Sequence, residues 1–291
     1  MHDSSVGGPL LWPADEDWPT CAAEHELYDE PVSMDGVRRG RDLLEAAWLR
    51  PRAPKEDLLT PEQRSYLHEL RAGHPQHSEP NALLPIAQLY LRDVPGLTGP
   101  DGADVLQVLW CPLDHDDYAP AVQLVWRNAS DTGAVLADPP VPLDVQDDYV
   151  PEPCVVHPEV VTEYPAPLEL PEELSERLRS WSEEQGPASD YSEHSIAPGW
   201  KVGGWGPWSF TDPVPMDCAS CGSAYQPLLT ISSGEWDRGS SWIPLEDRDQ
   251  TGPVGLRRPS NPPMVVVGRG YNLQVYSCPT SYEHPHFTYV Q

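Results

Sequence analysis

The sequence predicts an α+β protein, mostly β, built as two pseudo-repeated β-rich lobes with flanking helices in one compact unit. Three observations predict this. Proline and glycine are abundant, 36 and 21 of 291 residues, which favours turns and short strands over long helices. Short runs of alternating apolar residues recur in both halves of the chain. The elements of the first half also return in the second in the same order. Val6-Gly7-Gly8 returns as Val202-Gly203-Gly204, and Pro85 to Leu89 returns as Pro227 to Ile231. Leu106-Gln107-Val108 before Cys111-Pro112 returns as Leu273-Gln274-Val275 before Cys278-Pro279. The spacing between the copies is unequal, so the second half carries an insertion, placed at Asp237 to Pro263.

The first lobe is expected over 1–136. Its first helix runs from about Asp35 to Leu49, with Val37, Leu44, Ala47 and Trp48 on one side. A second starts at Thr60, with Pro61 at the first helical position and Gln63 completing a capping box. Its stripe is Tyr66, Leu67 and Leu70, and Gly73 stops it. Strands follow at Pro85 to Leu91, Val105 to Pro112 and Val122 to Trp126. The stretch 137–190 is a proline-rich, acidic connector ending in a short amphipathic helix. That helix starts at Pro171, puts Leu174, Leu178 and Trp181 on one face, and ends at Gly186. The second lobe, 191–291, repeats the strand order and closes on Phe287 to Gln291.

With 46 acidic against 18 basic residues, the formal charge is -28. Such a field repels nucleic acid and anionic membrane surfaces; it favours a basic protein partner, or simply solubility. No apolar run follows the N-terminal methionine, and none approaches the length of a membrane helix. Six cysteines in a chain this long do not make a disulfide framework. A cytoplasmic protein with reduced or metal-bound thiols is therefore expected.

The cysteines have metal-ligand spacing. Cys218-x-x-Cys221 before Gly222 forms a tight knuckle that delivers two thiolates to one point, and Cys278 ends a strand as a third ligand. His284 or His286 supplies the fourth; spacing does not choose between them. Four protein ligands fill the coordination sphere of zinc, which makes this a structural site. Cys21-x-x-x-His25 and Cys111-x-x-x-His115 fall at matching places in the first half and suggest a second zinc site. Other groups take bland readings. Trp200, Trp205 and Trp208 read as core, not as an exposed platform, and Asp114, Asp116 and Asp117 as a solvated turn. Cys154 is given no role. No nucleophile elbow, metalloprotease helix or phosphate loop is present, and no residue is assigned to catalysis.

Val6-Gly7-Gly8 with Trp12-Pro13, Lys201-Val202-Gly203-Gly204 with Trp208, Pro227 to Ser232, and Leu273-Gln274-Val275 to Cys278 resemble the bacterial YwqG-like family of uncharacterised proteins. The Lys-Val-Gly-Gly, Cys-x-x-Cys and Leu-Gln-Val-Tyr elements are also similar to the eukaryotic programmed-cell-death-two proteins. The resemblance implies a two-lobed, mostly β protein without established enzymatic activity, and eukaryotic relatives that chaperone a basic ribosomal protein. The zinc assignment comes from spacing alone and not from the resemblance. The function expected is non-catalytic binding of a basic partner, of chaperone or immunity type. The alternative is an enzyme or small-molecule binder with its site in the cleft between the lobes.

Overall fold

The structure, a computed structural model, describes residues 3–25, 30–75, 77, 79–115, 118–186, 189–236, 242–248 and 255–291. It is α+β with more strand than helix. The chain divides into two compact units where one was expected, and each is discontinuous in sequence. Residues 1–90, 103–156 and 250–265 form the first; 91–102, 157–249 and 266–291 form the second. The expected connector 137–190 is thus divided at residue 156. Of the expected insertion, residues 242–248 and 255–263 are described, and the rest lies outside the described residues.

The first unit holds helices α1 (Met34–Leu49) and α2 (Pro61–Ala72). Each starts where its cap dictates. The Ser33 side chain accepts the amide of Gly36, and Thr60 and Gln63 form the predicted capping box. Strands β1 (Ser5–Val6), β2 (Thr20–Cys21), β3 (Asn81–Ala82), β4 (Leu84–Tyr90), β5 (Val105–Asp114), β6 (Pro120–Arg127) and β7 (Cys154–Val155) follow. They form a five-stranded antiparallel sheet, β6-β5-β4-β1-β7, and a β2-β3 ribbon. Every residue of β5 is buried, as suits an interior strand paired on both sides, with β6 and β4. Cys154, given no role from sequence, sits in the edge strand β7, paired with Val6.

The second unit holds α3 (Glu172–Gln185), α4 (Tyr191–Ser195), β8 (Lys201–Val202), β9 (Gln226–Ser232), β10 (Asn272–Ser277) and β11 (Phe287–Val290). Its sheet has the order β11-β10-β9-β8, all antiparallel. Helix α4 and the β2-β3 ribbon, too short to leave a periodic pattern, were not expected.

Internally the two sheets share register. Val6 faces Ala87, which faces Val108; Val202 faces Leu229, which faces Val275. Each sheet slips by one residue beside a proline, between Pro85 and Ala87 in β4 and between Pro227 and Leu229 in β9. Proline lacks the ladder N–H, and a bulge is where a strand tolerates that loss. The amide of Gly7 donates to the bulged Ile86 carbonyl at 2.8 Å, and that of Gly203 to Leu228 at 3.0 Å. Both glycines have positive φ, 64° and 66°, which a side chain would oppose. Buried Gln107 and Gln274 occupy the same step of β5 and β10, each bonded to the side chain facing it, Gln88 or Thr230.

Two bland readings are corrected. Asp114 is not in a solvated turn: it ends β5, is buried, and accepts a hydrogen bond from Tyr149 Oη. Its neighbours Asp116 and Asp117 lie outside the described residues. The three tryptophans do not form one core cluster. Trp208 is buried, Trp200 is half-buried with its indole N–H donating to the Ser232 carbonyl, and Trp205 is exposed.

Candidate metal centres

Two four-residue clusters stand at the same place in the two sheets. In each unit one ligand pair comes from the connection that follows β1 or β8, and the other from the end of β5 or β10 and the turn beyond it.

In the first unit, β2 pairs with β3 and sets Cys21 in place, with His25 four residues on. Cys111 lies in β5, and His115 starts the turn into β6, its amide donating to the Ala119 carbonyl. Cys21 Sγ is 3.6 Å from His115 Nε2, and His25 Nε2 is 3.2 Å from Cys111 Sγ. The two imidazoles meet edge to face at 4.8 Å. Beneath them lies an apolar cluster with Leu10, Trp12, Trp18, Leu83 and Leu109, whose packing holds the frame. Burial, reinforced by neighbouring Cys21, pushes the Cys111 thiol far above its usual value, so the thiolate needs a cation to persist. Burial also lowers the pKa of His25, against the opposing pull of Asp144, which favours the neutral ring a metal requires.

In the second unit, the knuckle is built by backbone bonds. The Cys218 amide donates to the Ser223 carbonyl at 2.8 Å and the Gly222 amide to the Cys218 carbonyl at 2.7 Å. Gly222 has φ 72°, the positive value this reversal demands. Cys278 follows β10 directly, and its sulfur accepts the Thr280 amide at 3.4 Å. Cys221 Sγ lies 3.5 Å from Cys278 Sγ, and His284 Nδ1 lies 3.6 Å from Cys218 Sγ and 3.2 Å from Cys278 Sγ. Hydrogen bonds from the Ser223 hydroxyl and amide pull Cys221 down to about 5, outweighing the small effect of burial. The structure selects His284 for this cluster and leaves His286 outside it.

In both clusters the four ligand atoms lie within 4.8 Å of one another. An ion with bonds of about 2.3 Å to sulfur and 2.0–2.1 Å to nitrogen has tetrahedral edges of roughly 3.5–3.8 Å. Three of the measured separations, 3.5–3.6 Å, fall in that range, and the two of 3.2 Å are slightly shorter than it. A disulfide needs sulfurs about 2.05 Å apart, so Cys221 and Cys278 are not bonded, and all six cysteines are free thiols. Both clusters can therefore hold a metal ion, with no coordination position left over.

A third group was not selected from the sequence. His74 Nε2 and His77 Nδ1 both lie 2.7 Å from Asp144 Oδ1. The His-x-x-His spacing was a visible signal, but Asp144 joins it only through the fold.

No protein-family model matches the chain, and no curated protein matches it. No helix among the described residues is long and apolar enough to cross a membrane.

Proposed function

We propose that the protein is a non-catalytic binding protein for a basic partner, of the chaperone or immunity type, with a structural zinc ion in each of its two sheets. Zinc is the ion of choice because thiolate and imidazole ligands in a closed four-ligand set suit it better than they suit hard cations. The matched registers, bulges and cluster positions support descent of both sheets from one duplicated module. Free thiols and metal ligation fit a reducing compartment such as the cytoplasm. The resemblance to YwqG-like and programmed-cell-death-two proteins agrees with this reading.

The observation that carries the binding function is α3. An amphipathic helix ordinarily buries its apolar stripe. Here no residue of α3 is buried, and Leu174 and Trp181 are 39% and 49% exposed. Glu172, Glu173, Glu176, Glu183 and Glu184 surround that stripe, against Arg177 and Arg179. An aromatic and aliphatic stripe set in acid, on a chain of charge -28, complements a basic segment that carries apolar anchors.

The test is capture from the native host at about 0.15 M salt, using the wild type beside Leu174→Ser/Trp181→Ser. A basic protein retained by the wild type, lost with the variant and weakened by added salt supports the assignment. Recovery of no basic protein, or equal recovery by the variant, overturns it.

A further inference from the structure

We infer that His74, His77 and Asp144 form a third metal site, distinct in kind from the other two: among the described residues it has three ligands for a zinc-like divalent ion, with one position open to an exchangeable ligand. The three ligand atoms lie within 4.8 Å of one another and include no sulfur. His74 and His77 sit just beyond the end of α2, three residues apart, a spacing that lets two imidazoles turn to one point.

Asp144 is held as a metal-binding carboxylate should be. Its backbone carbonyl accepts Asn81 Nδ2 at 2.6 Å, and Asn81 Oδ1 accepts the Leu143 amide. Its Oδ2 is occupied by the His77 amide at 3.0 Å, leaving Oδ1 to face both rings. One carboxylate oxygen and two imidazole nitrogens thus converge on a single point. In the metal-free form each ring donates an N–H to that oxygen, because a carboxylate oxygen only accepts. On binding, the proton leaves His74 Nε2 and His77 Nδ1, and the freed lone pairs join the ion. The nitrogen–oxygen separations then open from 2.7 Å to roughly 3.3 Å, the edge for bonds of about 2.0 Å.

Exposure sets where the open position lies. The His74 and Asp144 side chains are 9% and 7% exposed, whereas His77 is 30% exposed. Water or a small anion therefore reaches the ion from the His77 side. Three protein ligands and a solvent position distinguish reactive zinc sites from closed ones.

Cobalt(II) is the probe, added to the intact zinc-loaded protein. Cobalt at a cysteine site gives an intense thiolate charge-transfer band; at a histidine–carboxylate site it gives only weak visible bands. The expected result is one cobalt per chain without the thiolate band, with visible bands that shift on adding azide. His77→Gln, a change at a half-exposed position, should abolish this uptake while the two cysteine-site zinc ions and the circular dichroism are kept. Uptake unaffected by His77→Gln, no uptake beyond the cysteine sites, or visible bands indifferent to azide overturns the inference.

Discussion

The ammonium of Lys201 lies 2.6 Å from Glu163 Oε1, with both side chains almost wholly withdrawn from water. The pair is fully partnered. Lys201 also donates to the carbonyls of Ala197 and Trp205, and Glu163 accepts the amides of Ala197 and Trp205. Two charges taken out of water are tolerated only when both are present, because each compensates the other's lost hydration. Lys201→Met should therefore destabilise the protein by about 3–5 kcal/mol, whereas Lys201→Met/Glu163→Leu should recover most of that loss. Urea unfolding of the four proteins of the cycle measures it. Equal stability of Lys201→Met and wild type would refute the coupling.

The glycines beside this pair discriminate strain from collision. Gly203 and Gly204 both have positive φ, 66° and 76°. A Cβ on Gly203 meets nothing within 4 Å, but one on Gly204 runs into the Glu163 carboxylate. Gly203→Ala should cost about 1 kcal/mol for the backbone alone. Gly204→Ala should cost clearly more, because it also displaces Glu163 from Lys201. Thermal unfolding of both variants ranks them, and the reverse order would contradict the geometry.

Metal removal should act on folding, since the ligands converge only in the native state. A ligand present at a thousandfold its Kd contributes about 4 kcal/mol to native stability. Chelation should lower Tm, zinc should restore it, and Cys278→Ser should lower it in the untreated protein. After chelation, exposed Cys221, with its pKa near 5, should be the first cysteine alkylated at neutral pH. Quantitative mass spectrometry follows the alkylation, and a melting curve unchanged after verified metal loss would be the contrary result.

Glu235 gives a pH dependence. Burial raises its carboxyl to about 7, only partly offset by the amide of Trp200. The folded state thus holds the proton more tightly than the unfolded chain, whose carboxyl has its ordinary value of 4.5. The penalty is absent below that value, grows as pH rises, and is complete above about 7. Glu235→Gln should stabilise the protein by about 3 kcal/mol at pH 8 and leave it unchanged at pH 4. Denaturant midpoints at the two pH values check this.

Much of the fold was legible because strands and helix ends are written in neighbouring residues. The capping box at Thr60 and Gln63 was read directly, as were the six longer strands, within one or two residues of their observed ends. Helix α3 was placed correctly too, but its stripe gave no sign that it lies open, since periodicity reports which residues share a face and not what covers it. The interleaving of the two units was likewise hidden, because nothing local marks 91–102 or 250–265 as belonging with distant segments.

The sequence by itself determined the local shapes and the chemistry on offer: the glycine turns, the proline bulges, the Cys-x-x-Cys knuckle, and thiols and imidazoles at ligand spacing. Only the tertiary structure decided which of them meet. It brought His284 rather than His286 to Cys218 and Cys278, joined Cys21 to His115 across 94 residues, and carried Asp144 to a pair of histidines that had no visible third partner. The reason is physical. A turn or a cap needs only adjacent backbone, whereas convergence of distant side chains depends on how whole strands pair and pack, which no short stretch of sequence contains.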